Sequence, residues 1–216
     1  MNKQTPSKSI LPTSLWVLLA AIGLTAILLL FAPEDQQVDE QLLPWNSHYT
    51  ADNQLTALGL VLGKSTVEDA KHLYGSDVEI KIFSKKDESD KSAEVYFPTI
   101  RISSISASLT LNLQVPAEVL NQMYSRGVKT SVTPTGSRQV TPVSSDQQKL
   151  MTYPIKYLTL VPKKDLTERG IKMRFGEPDR IDPNPDGLNR WVYLDKGLEL
   201  IFNPEGPEAL QYYRVQ

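Results

Sequence analysis

From Ser9 to Pro33 the chain carries no charged residue, and Ile10–Ala32 consists mainly of Leu, Ile, Ala, Val, Phe and Trp. As a helix rising about 1.5 Å per residue, residues 10–32 reach about 34 Å, against a hydrocarbon core of about 30 Å. The run therefore predicts a transmembrane helix over 10–32, with Pro12 tolerated in its first turn. No cysteine is present to carry a lipid, and Pro33 directly after Ala32 disfavours cleavage. The expectation is a retained signal anchor rather than a signal peptide. Lys3 and Lys8 precede the run, while Glu34, Asp35, Asp39 and Glu40 follow it. The positive-inside rule then places residues 1–9 in the cytoplasm and the C-terminal domain beyond the membrane. The expected location is the inner (cell) membrane, single-pass, with a periplasmic domain and the lipid bilayer as partner of residues 10–32.

Composition narrows the chemistry. The 216 residues allow one domain or two small ones. A net charge of −2 excludes a general nucleic-acid binder, which needs a basic face. With no cysteine, disulfides, thiolate-bound zinc, iron–sulfur clusters and thiol nucleophiles are excluded together. His48 and His72 are the two histidines, too few for a three-histidine zinc site. No phosphate-binding loop, dinucleotide fingerprint or nucleophile elbow occurs. The expectation is no cofactor, no metal and no catalytic residue.

Beyond the apolar run, residues 33–55 read as an acidic tether, 56–126 as a first folded repeat, 127–149 as a Ser/Thr/Pro-rich linker and 150–216 as a second repeat. Ser65-Thr-Val-Glu68 has the form of a capping box, followed by Val67, Ala70 and Leu73 at helical spacing and a stop at Gly75. Asp165-Leu-Thr-Glu168 is a similar cap, followed by Leu166, Ile171, Phe175 and Gly176. Aligning the two glycines pairs Thr66 with Thr167 and Lys71 with Lys172. Alternating apolar runs follow each helix: Val78–Ile82, Glu94–Phe97 and Leu109–Leu113 in the first, Arg190–Leu194 and Leu198–Phe202 in the second. The fold class expected is α+β, an N-terminal transmembrane helix followed by two helix-plus-antiparallel-sheet repeats. Pro116–Arg126 fits a further short helix closed by Gly127.

The segment Leu60-Val-Leu-Gly-Lys-Ser-Thr-Val-Glu-Asp-Ala-Lys-His-Leu-Tyr-Gly75 resembles the signature of the SmpA/BamE and β-lactamase-inhibitor-protein-like family. Leu166–Pro178, ending Phe175-Gly-Glu-Pro178, resembles its helix ending more clearly still. The chain departs from the family in lacking the lipobox Cys, in Ser76-Asp77 after Gly75, and in Pro162 at the turn glycine. The resemblance implies short helices on an antiparallel sheet, in tandem copies, and a non-enzymatic binding module of the cell envelope.

Two other segments carry the residue types of a site. Asp182-Pro-Asn-Pro-Asp-Gly187 has the start of a calcium loop, but Tyr193 stands where the bidentate Glu belongs, so a turn is expected. Ser84–Ser92 alternates charge sign, as a solvated hairpin tip does. The aromatics are more informative. Strand alternation places Trp191 and Tyr193 on one face, flanked by Arg190, with Tyr212 and Tyr213 in the same second sheet. That face is either core or a Tyr/Trp docking surface. Trp191, Tyr193, Arg190 and Tyr212 are the candidate protein-binding residues. The function expected is a non-catalytic, membrane-anchored accessory or assembly factor of the envelope, binding envelope or inner-membrane proteins. The alternatives are an accessory subunit held through its transmembrane helix, and a cell-wall glycan hydrolase using an Asp/Glu pair.

Overall fold

The computed structural model describes residues 21–25, 39–134, 136–183 and 187–214. Alternation of apolar and polar side chains decides the architecture. Ile80 and Ile82, Val95 and Phe97, Leu109 and Leu111, Leu158 and Leu160, and Leu198 and Leu200 are all buried, and the residues between them point the other way. The strands that carry them join one antiparallel sheet. They are β4 (Glu79–Ser84), β5 (Ser92–Ile102), β6 (Ile105–Leu113), β7 (Lys129–Val132), β8 (Arg138–Thr141), β9 (Ile155–Pro162), β10 (Arg180–Pro183), β11 (Asn189–Tyr193), β12 (Leu198–Phe202) and β13 (Ala209–Tyr212), paired in the order β10-β11-β12-β13-β9-β6-β5-β4-β8-β7. A three-stranded sheet is made by β1 (His48–Tyr49), β2 (Leu55–Ala57) and β3 (Leu60–Val61). Leu58 and Gly59, with φ of 53° and 70°, turn β2 into β3, the two left-handed residues of a tight hairpin.

The helices are short: α1 (Val67–Tyr74), α2 (Ala117–Ser125), α3 (Ser144–Leu150) and α4 (Glu168–Phe175). Their buried side chains, including Val67, Ala70, Leu120, Met123, Leu150, Ile171 and Phe175, join one cluster with Leu55, Leu58 and Leu60 and the inward face of the large sheet. The helices and the small sheet therefore share a single core on one side of the ten strands.

Several expectations are corrected here. The α+β class gives way to a mostly β architecture in which one ten-stranded sheet replaces two separate repeats. The link is β9, which pairs with β6 on one side and β13 on the other. The transmembrane helix over 10–32 is not found: among the described residues no helix is long and apolar enough to cross a membrane. Residues 21–25 are helical, and the rest of that stretch lies outside the described residues. The signal anchor and the inner-membrane, periplasmic location rested on that helix and find no support among the described residues. Residues 39–55, read as tether, hold two 3-10 turns (Glu40–Leu42 and Pro44–Asn46) and β1, and Trp45 packs edge-on against Phe175 with ring centroids 6.0 Å apart. Residues 127–149, read as linker, form the β7–β8 hairpin and most of α3.

The helix ends carry the clearest internal correspondence. α1 is capped one residue later than the sequence suggests, with Asp69 accepting from the Thr66 N–H at 2.8 Å. Ser65 instead accepts from the Val61 N–H at 3.0 Å. α4 is capped by Thr167, whose hydroxyl accepts from the Gly170 N–H at 3.1 Å. Gly75 (φ 96°) and Gly176 (φ 86°) end the two helices, donating to the carbonyls of Lys71 and Lys172. A Cβ at either glycine would meet no atom within 4 Å, so substitution costs conformation alone. Gly75→Ala and Gly176→Ala should each lower stability by about 1 kcal/mol in denaturant unfolding. A neutral result at both would remove the left-handed turn as a reason for glycine.

Candidate functional site

With the helices on one side, the polar phase of each strand lies on the other. Cross-strand register lines up Glu79, Tyr96, Thr110, Thr159, Gln211, Glu199, Val192 and Arg180 in one row across eight strands. A second row runs Lys81, Glu94, Asn112, Tyr157. Tyr157 and Tyr213 adjoin at the next step beyond the Leu158–Tyr212 pair. Val192 is buried here without joining the hydrophobic core, which marks it as belonging to this opposite face.

At one end of its strands the face opens into a groove of about 980 Å³, lined by Asn112, Tyr157, Gln211, Tyr213, Arg190 and Glu199 and also by Leu62, Val115 and, from α2, Leu120. Lys91, Lys156 and Arg214 add positive charge to it. Its polar groups hold one another. Arg190 pairs with Glu199 at 3.2 Å, and the Tyr213 hydroxyl bonds to Glu199. Burial, then that bond, raise the Tyr213 phenol well above its ordinary range, against the opposing pull of Arg190 and Arg180. Burial also raises the Glu94 carboxyl, and the hydrogen bond from Ser92 at 3.1 Å acts against it. Burial and the charge of Glu94 raise the Tyr157 phenol. Asn112, 4% exposed, lies close enough to Glu94 and Tyr157 to influence both, yet its Nδ2 makes no hydrogen bond within 3.5 Å. A second hollow on the same face, of about 430 Å³, is lined by Glu79, Lys81, Phe83, Glu94, Tyr96 and their neighbours.

Three of the four residues expected to bind a partner lie on the wrong side for that role. Trp191, Tyr193 and Tyr212 are 3%, 2% and 0% exposed. Trp191 pairs with Leu200 and Tyr193 with Leu198, so their phase faces the helices. Trp191 stacks against Phe202, Tyr193 against Phe175, and the Tyr212 hydroxyl donates to the Pro44 carbonyl at 2.8 Å. Arg190, one residue out of phase, remains on the open face. The groove residues missed from sequence, Asn112, Gln211 and Glu199, had one available signal, the polar phase of alternating strands.

No group of His, Asp and Glu able to hold a metal occurs among the described residues. In the calcium-like segment, Asp182 accepts from Arg180 at 2.7 Å, and residues 184–186 lie outside the described residues. His48 and His72 stand apart, on β1 and α1. No family model, curated protein or solved structure matches this chain.

Proposed function

We propose that this protein is a non-catalytic binding module and that its partner is another protein, seated on the open face of the ten-stranded sheet. The observation that carries the reading is that face itself. Ten strands about 4.8 Å apart make it about 43 Å wide, room for the roughly 800 Å² that each side of a stable protein interface buries. Tyrosines with exposed edges (Tyr96, Tyr157, Tyr213) sit among Lys and Arg side chains, the amphipathic and cationic groups that dominate interface energies. The carboxylates of the groove are engaged with Arg190, Tyr213 and Ser92, which suits a recognition surface better than a pair working on a glycan.

Tyr96, 41% exposed, and the exposed Lys156 can be changed without touching the core. Tyr96→Ala with Lys156→Glu should leave stability within about 0.5 kcal/mol and weaken partner binding by about 30-fold or more. Affinity of the wild-type and doubly substituted full chains for a co-purified partner, measured beside thermal unfolding, checks this. Unchanged affinity in a folded variant would remove the open face as the interface.

A further inference from the structure

A second cavity lies on the helix side, away from the open face. It encloses about 590 Å³ between one side of α4, the β5–β6 turn, the 163–167 segment and Trp45. Its floor is apolar and buried: Pro44, Ile171, Phe175 and Leu210. Its mouth is cationic, with Lys163, Lys164 and Arg174 exposed against one carboxylate, Asp165. Arg174 stands over the Trp45 ring at 5.4 Å from the centroid, holding a guanidinium where the apolar wall meets solvent. The excess of positive charge is local, because the whole chain carries −2.

We infer that this cavity binds a single-chain anionic amphiphile, its aliphatic chain on the buried floor and its carboxylate or phosphate monoester head between Lys163, Lys164 and Arg174. The volume lies within the range of small-molecule sites, which combine apolar walls with a few placed polar groups. A neutral chain would leave the mouth unused, and a cationic head would be repelled by it. A diacyl lipid needs more room than the floor offers. The site is independent of the open face, so either reading can fail alone.

The test uses the full-length protein and titrates octanoate, decanoate, dodecanoate and dodecyl phosphate below their micellar concentrations. Dodecanol and dodecyltrimethylammonium serve as neutral and cationic controls. Affinity should rise about fourfold per added methylene between octanoate and dodecanoate. Dodecanol should bind at least about tenfold more weakly than dodecanoate. The tighter of dodecanoate and dodecyl phosphate identifies the head. Trp45 lines the cavity, so binding should shift its fluorescence, and Trp45→Phe should abolish that shift. Ser104, exposed at the mouth, allows the cavity to be blocked from outside the core: Ser104→Trp should reduce affinity at least about tenfold in a folded chain. Lys164→Gln with Arg174→Gln should do the same, while Lys156→Gln on the open face should change nothing. Absence of binding, equal affinity for dodecanol, or full affinity in the Ser104→Trp chain would each overturn the assignment.

Discussion

Trp191→Ala should lower the stability of the fold by about 3–5 kcal/mol, the range for emptying a buried aromatic site. The indole is 3% exposed, lies 5.4 Å from the Phe202 ring between centroids, and has the Lys172 ammonium 5.7 Å from its own centroid. It is paired through the backbone with Leu200 on one side and Ile181 on the other. Removing it opens a cavity beneath the β10–β12 meander that the neighbouring strands are too constrained to close. Against a total stability of about 5–15 kcal/mol, the loss is large, and the midpoint of denaturant unfolding reads it directly. A change below about 1 kcal/mol would mean that Trp191 is not part of the core. In the remaining folded protein, partner affinity should be unaltered, since the side chain does not reach the open face.

The second large effect is alkaline. Tyr74, Tyr193 and Tyr212 each donate a phenolic hydrogen bond to a backbone carbonyl, of Leu58, Gly176 and Pro44. Burial raises all three above the ordinary value of 10.0, with Tyr193 pushed up to about 12. The folded chain thus keeps these phenols neutral where the unfolded chain ionises them. Below pH 10 the two states bind the same protons and stability is unaffected. Above it, the unfolded state is favoured by about 1.4 kcal/mol per pH unit for each such tyrosine, about 4 kcal/mol per unit for these three, and the raised phenols of Tyr157 and Tyr213 add to the slope. For Tyr193 the loss levels off near pH 12. Unfolding free energy should therefore hold steady from pH 8 to 9.5 and fall steeply above 10, with tyrosinate absorbance rising along the unfolding transition. Tyr193→Phe should flatten the slope by about 1.4 kcal/mol per pH unit. A stability unchanged to pH 11 would contradict the burial of these hydroxyls.

How much of this was legible in the sequence differs from element to element. The helix ends were. Gly75 and Gly176 stop helices because only a residue free to take positive φ can close them at that point, and the equal spacing of Thr66 and Thr167 from them is visible in the chain. The caps themselves were misplaced by one or two residues, since Ser65, Thr66, Asp165 and Thr167 are all competent acceptors and only tertiary packing chooses among them. β9 carries its own signal in the alternation of Leu158 and Leu160, yet nothing local says that it sits between two meanders and fuses them. The β7–β8 hairpin is rich in Ser, Thr and Pro because it lies at a sheet edge with little to bury, so its composition resembles a linker. The aromatic face failed for a sharper reason. Trp191 and Tyr193 alternate with Val192 and Leu194, and Tyr212 is followed by Tyr213, so both phases of each strand are apolar or aromatic enough to face inward. The choice is made by cross-strand partners such as Leu198 and Leu200, and a shift of one residue exchanges the faces. The apolar run at residues 10–32 satisfies the length criterion for a membrane span, and no helix among the described residues does.

Site-specific photocrosslinking tests the central claim, that the partner sits on the open face of the sheet. A photoreactive amino acid is placed at Tyr96, Thr110 or Lys156 on that face, and at Leu73 or Met173, which are 41% and 76% exposed on α1 and α4. Each full-length variant is irradiated with its partner, and the same crosslinked species is quantified. Strong crosslinking from the three sheet positions and little from the two helix positions is the result expected. Crosslinking of that species from Leu73 and Met173 but not from Tyr96, Thr110 or Lys156 would place the interface on the helix side and contradict it.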